Sequence, residues 1–137
     1  MTTRNVSVLI LYSKGKILLQ KRAKTAKRFP CRWGLFGGGI EKKETPKATL
    51  KREIMEELGL KLTTPKFFKE YPYILDDVGE RGDISVYFHE YSKEKLYLRE
   101  GEQMKWVSLP EALNLDLHPI YRDIIEDIGK RAGSVLS

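Results

Sequence analysis

The sequence predicts one α/β domain built on a mixed or antiparallel sheet, and three observations carry that expectation. A run of β-branched and apolar residues, Val6 to Tyr12, reads as a buried strand close to the start. Pro46 to Leu58 carries the end signals of a helix, and Ile120, Ile124, Ile125 and Ile128 repeat at helical spacing near the end. With 137 residues the chain is long enough for one core without disulfides or a structural metal, so residues 1–137 are expected to form a single domain.

In order along the chain, Ser13 to Lys16 supplies a turn from the first strand into a second, Ile17 to Lys21. Arg22 to Arg32 is basic, irregular and broken by Pro30, and it leads as a loop into a short strand around Trp33 to Gly39. Thr45 is placed to cap a helix that begins at Pro46, where a missing N–H does no harm, and Gly59 suits the left-handed residue past its end. Further strands are expected at Lys66 to Tyr73, Asp83 to Tyr91 and Met104 to Val107, with turn-rich Asp76 to Gly82 between the first two. Pro110 opens a short helical turn, the isoleucine stripe forms the last helix, and Gly133 to Ser137 are expected to fray. No internal repeat, linker or low-complexity block interrupts this order.

Composition narrows the function classes. Hydrophobic residues are 41% and charged ones 32%, which favours neither disorder nor membrane burial. The longest apolar stretches are too short to span a bilayer and no cleavable signal precedes them, so a cytoplasmic location is expected. Cys31 is the only cysteine, and with two histidines it builds neither an internal disulfide nor the usual zinc site. The formal charge of +6 attracts phosphate-bearing ligands at long range. Zinc-finger spacing, an RNP-type aromatic signature and basic repeats are all missing, which argues against nucleic acid as the partner.

The acids are more telling. Glu53, Glu56 and Glu57 stand three and four residues apart, on one side of the expected helix and within mutual reach. Like charges so placed repel, raise one another's pKa and sit where the helix dipole disfavours them. Magnesium removes both objections, because it takes oxygen ligands and shares them with substrate phosphates. Leu50, Ile54 and Leu58 form the opposite stripe and are expected to face the sheet. An isolated acidic triplet would still read as a solvated face balanced by Lys51 and Arg52.

The surrounding segment changes that balance. Gly38, Glu44, Arg52, Glu53, Ile54, Glu56, Glu57, Gly59 and Leu60 follow the order Gly, five residues, Glu, seven residues, Arg-Glu, aliphatic, any, Glu-Glu, any, Gly, aliphatic. This resembles the Nudix box at every constrained position, across residues 38–60, which are 23 of the 137. The flanks, with a hairpin before and Glu100-Gly-Glu102 and Trp106-Val-Ser-Leu after, resemble the MutT-like branch of that family.

The resemblance implies the Nudix α/β/α sandwich, a mixed sheet between helices, with the box as a loop–helix–loop. It implies that Glu53, Glu56 and Glu57, with the Gly38 carbonyl, hold magnesium, for which manganese is the expected substitute. It also implies that Arg52 orients a neighbouring carboxylate and that Glu44 steadies the loop. The implied chemistry is magnesium-assisted attack of water on a pyrophosphate link of a nucleoside triphosphate or related nucleoside diphosphate derivative. A box glutamate, or Glu100 or Glu102 on the later loop, is the candidate base. The partner is then a small nucleotide; capped RNA stays open as a substrate, and a homodimer is compatible with the sequence. The alternative is an inactive Nudix-fold module that binds nucleotide or RNA, against which the intact box argues.

Other candidates are weaker. Arg22 resembles the MutT-like position that reaches a substrate phosphate, a task suited to its bidentate fork, while Lys21, Lys24, Lys27 and Arg28 rank below it. Gly37, Gly38 and Gly39 are candidate substrate contacts, yet no Lys-Ser/Thr follows as in a P-loop, and a tight turn is the better explanation for them. Trp33, Phe36, Tyr73 and Tyr121 are able to stack on a base, though such residues more often fill a core. His89 and His118 need no catalytic role. The chain departs from its relatives at Phe36, where many carry Pro, and at Tyr121, in the stretch where MutT has an Asn that reads oxidised guanine. Specificity for oxidised guanine is therefore left open.

Overall fold

In the computed structural model, which describes residues 1–137, eight strands form one mixed sheet with helices on both faces. The order is β1 (Thr2–Thr3), β2 (Val6–Ser13), β3 (Lys16–Lys21), β4 (Trp33–Gly34), β5 (Phe36–Gly39), α1 (Pro46–Leu58), β6 (Lys66–Leu75), β7 (Glu80–Glu90), β8 (Gln103–Ser108), α2 (Leu109–Leu113) and α3 (Pro119–Ala132). None of these helices is long and apolar enough to cross a membrane.

Strand β2 is the centre of the sheet. It runs parallel to β7, Val6 opposite Ile84 through Tyr12 opposite Glu90, and antiparallel to β5 and β3 on its other edge. β1 keeps the same register on β7, Thr2 opposite Glu80, so it extends β2 across Arg4 and Asn5. β6 pairs antiparallel with β7, and β8 with β3.

The continuous apolar run of β2 follows from burial on both faces. Val8 and Ile10 point into the core under α3, with Ile17, Val86, Ile124 and Ile128. Leu9 and Leu11 point the other way, against Leu50, Ile54 and Leu58 of α1. The two helices thus sandwich the sheet, each through its predicted stripe.

The end signals behave as their chemistry dictates. Thr45 Oγ1 accepts the Ala48 N–H at 3.1 Å, and Gly59, at φ 68°, donates its N–H to the Met55 carbonyl at 3.0 Å. Ser108 and Glu111 close a capping box on α2, and His118 Nδ1 accepts the Ile120 N–H at the start of α3.

Three expectations need correction. Gly37 to Gly39 are not a turn: they lie in β5, paired with Val8, Ser7 and Val6. The end of the chain does not fray, because residues Gly133–Leu136 form a 3-10 turn whose Leu136 is buried and whose carbonyl accepts the Gly15 N–H at 2.6 Å. Glu80, expected in a turn, begins a strand and is buried.

Candidate active site

Helix α1 aims its late carboxylates in different directions. Glu57, one i+4 step from Glu53, lies beneath the sheet edge with only 4% of its surface exposed. Its Oε2 accepts the Gly37 N–H at 3.2 Å and its Oε1 accepts Gln20 Nε2 at 3.4 Å. No arginine or lysine pairs with it. Burial, then the charges of Glu53 and Glu100, push its pKa up to about 8. Burial also raises Glu53, although Arg52 bonding opposes that shift.

Glu56 is the exposed member of the trio, and it shares Arg52 Nη1 with Glu53. It is exposed, on the solvent side of the helix, 3.5 Å from Arg52 Nη1. The three acids thus differ in burial, and no three Asp, Glu, His or Cys side chains converge closely enough to cage an ion by themselves.

Arg52 organises the loop before the helix. Its Nε and Nη2 donate to the two oxygens of Glu44 at 2.8 and 2.9 Å, and its Nη1 donates to Glu53 Oε1 at 3.0 Å. Glu44 also accepts the Glu41 N–H and the Thr49 hydroxyl, and with Arg52 as the largest influence its pKa falls to about 2. One ion pair thus ties residues 41–44 to the helix and orients Glu53.

The glycines make room. A Cβ on Gly37, whose φ is 148°, would overlap the Ser7 carbonyl; one on Gly38 would enter the Glu53 carboxylate; one on Gly39 would meet the Arg4 guanidinium. Gly38 is therefore packed directly on a candidate ligand, which the spacing alone did not reveal.

Of the two later acids, Glu100 is the one whose charge reaches the box carboxylates. Glu100 raises the pKa of both Glu53 and Glu57 by its charge, and it lines a depression with Gln20 and Arg22. Glu102 is exposed, and its backbone N–H is spent on the Lys21 carbonyl at 2.9 Å. Arg22 lies between that depression and a second cleft, its Nε donating to the Arg28 carbonyl at 2.7 Å. Lys21 forms the outermost pair of β3 with β8, while Lys24 and Lys27 lie in the following loop.

This second cleft crosses the α3 face of the sheet from Gly37 and Gly38 to Tyr73 and Glu80, with Phe29 and Tyr121 in its walls. Phe36 is instead core, under α1. Sequence reasoning missed Gln20 and Glu80, because the partners of each come from strands far apart in the chain and only the register unites them.

The donor set fits a hard divalent cation. It offers hard oxygens: the Glu57 carboxylate, buried without a counter-charge, and the Glu53 carboxylate, with Gly38 packed against it. Magnesium commonly uses one or two carboxylates and completes its shell with water and substrate phosphate, so a three-acid cage is not required.

Known proteins resemble this chain in sequence and in fold. The NUDIX domain model matches residues 1–128. The 8-oxo-dGTP diphosphatase of Buchnera aphidicola is 30% identical, over 92% of this chain and 93% of that protein. The nucleoside triphosphatase NudI of Klebsiella pneumoniae is 42% identical, over 94% of this chain and 99% of that one. A MutT NUDIX hydrolase from Burkholderia pseudomallei superposes with a TM-score of 0.81 at 27% identity, covering 93% of this chain and 99% of its own.

Proposed function

The chain belongs to the Nudix family as a hydrolase of its MutT-like branch, and on that footing we propose that it splits a nucleoside triphosphate, or a related nucleoside diphosphate derivative, with magnesium. The names of its relatives, a diphosphatase and a nucleoside triphosphatase, support this substrate class. The single observation that carries the chemistry is the buried Glu57 carboxylate, unpaired by any basic side chain and facing Glu53 and Glu100.

Glu53 and Glu57, with the Gly38 carbonyl and the more exposed Glu56, are the residues that would hold the cation. When bound, it supplies charge neutralisation on the phosphates and a lower pKa for water. Glu100, whose charge reaches Glu53 and Glu57, is our choice among the candidate bases to accept the proton from that water. Arg22 retains the Nη end of its guanidinium for a phosphate, since its Nε is held by the Arg28 carbonyl. Arg52 keeps Glu53 oriented, and Glu44 fixes the loop. The intact box favours catalysis over an inactive binding module.

The test is a panel of nucleotides with and without magnesium, resolved by product. Release of monophosphate and pyrophosphate only with the metal, and loss by about a hundredfold or more in Glu53→Gln and Glu57→Gln, is the expected result. Full activity in both variants removes the proposal.

A further inference from the structure

The far end of the cleft on the α3 face carries a polar cluster that the hydrolytic chemistry does not use. Glu80, 4% exposed, accepts Arg28 Nε at 2.9 Å and Arg28 Nη2 at 2.6 Å, and the Tyr73 hydroxyl donates to it at 3.0 Å. Arg4 Nη1 stands 3.8 Å from the same carboxylate. The Arg28 bonds keep Glu80 below the ordinary carboxylate range, so it stays ionised and its oxygens are filled.

A guanidinium that binds a carboxylate through Nε and Nη2 still has its outer edge free, with one N–H on each terminal nitrogen pointing in parallel. Arg28 is in that state and lines the cleft. This end of the cleft therefore offers charged donors and no free carboxylate acceptor. A second, independent group points to a ligand: Tyr121, 5% exposed and in the cleft wall, makes no hydrogen bond through its hydroxyl to the rest of the protein, and it feels the charges of Arg22, Glu57 and Arg4. Phe29, 4.9 Å from the Tyr121 ring, gives the cleft an aromatic wall.

We infer that this end of the cleft reads a nucleobase, and that the outer edge of Arg28 selects bases presenting two adjacent acceptors: O6 and N7 of guanine, or N3 and O2 of cytosine. The inference rests on the nucleotide-hydrolase reading. Adenine sets an amine beside its ring nitrogen, uracil sets an N–H beside each carbonyl, and oxidation of guanine at C8 puts a hydrogen on N7, so each faces the fork with a donor. Spacing agrees: Ser7, opposite Gly38, and Arg4, beside Glu80, lie three residues apart on the β1–β2 line. That is roughly 10 Å at a strand rise of about 3.3 Å, room for a sugar between phosphate and base.

The test measures Kd for GMP, CMP, AMP, UMP and 8-oxo-GMP by calorimetry, on the wild-type protein and on an Arg28→Gln/Glu80→Gln double variant. The double change removes the fork together with the buried charge it neutralises. GMP or CMP is expected to bind at least about tenfold tighter than the other three, and the variant to lose that preference. The GMP and CMP arms separate the purine edge from the pyrimidine edge. AMP binding as tightly as both in the wild-type protein overturns the inference, as does a folded double variant that keeps the preference. The wild-type panel alone decides if the variant does not fold. Base preference without hydrolysis of any triphosphate would sink the hydrolase reading and keep the base reader; hydrolysis with no preference would do the reverse.

Discussion

The backbone N–H of Gly37 donates to the Glu57 carboxylate at 3.2 Å, joining β5 to the last turn of α1. It is one of two bonds that stabilise a carboxylate which burial otherwise drives toward its neutral form.

A pH dependence follows. The folded pKa of Glu57, about 8, lies above its ordinary value of 4.5, so the folded state holds this proton more tightly than the unfolded chain does. The resulting stability is full below about pH 4.5 and is lost as pH rises through about 8. Metal-free protein should melt at a lower temperature at pH 8.5 than at pH 5, and Glu57→Gln should flatten that decline. An unchanged slope in the variant, measured by thermal melting, contradicts the assignment.

Glu100 and Glu102 should separate in kinetics. Glu100→Gln is expected to lower kcat by about 10²-fold or more while leaving the melting temperature near that of wild type. Glu102→Gln should retain most activity, because Glu100 and not Glu102 lines the depression beside Gln20 and shifts Glu53 and Glu57 by its charge. Equal loss in both variants would remove Glu100 from its role.

The two glycines of β5 should fail differently. Gly37→Ala forces a Cβ onto the Ser7 carbonyl at a φ of 148°, and a cost of about 2 kcal/mol or more in denaturant melts is expected. Gly38→Ala pushes instead on the Glu53 side chain, so it should lower magnesium affinity and activity at a smaller cost in stability. The reverse ranking in denaturant melts would contradict this geometry.

The tail is structural. Leu136 is 1% exposed in the α3-side core, so Leu136→Ala should cost about 2–4 kcal/mol of stability and leave KM unchanged. A change below about 0.5 kcal/mol would mean that the tail is not docked in solution.

Local signals made much of this readable in advance. The cap at Thr45, the stripe of Leu50, Ile54 and Leu58, and the αL position of Gly59 are decided within α1 itself. Arg52 and Glu44 were legible only through resemblance to the box, since their ion pair spans eight residues and a loop. What stayed hidden depended on strand register. Gly37 looked like a turn because its partner, Val8, lies across a hairpin and a loop from it, and Glu80 looked like one because Asp76, Asp77 and Gly79 precede it. The acidic trio illustrates the limit of helical spacing, which placed three carboxylates on one side but did not foresee that the sheet edge would bury Glu57 and leave Glu56 in solvent.

The most direct measurement is a crystal structure grown with magnesium and a non-hydrolysable nucleoside triphosphate. Density for a cation bonded to Glu53 or Glu57 and to a phosphate oxygen, with the base toward Arg28, is the result expected. Well-ordered phosphates bound elsewhere, with Glu57 still held only by Gly37 and Gln20, would contradict the account.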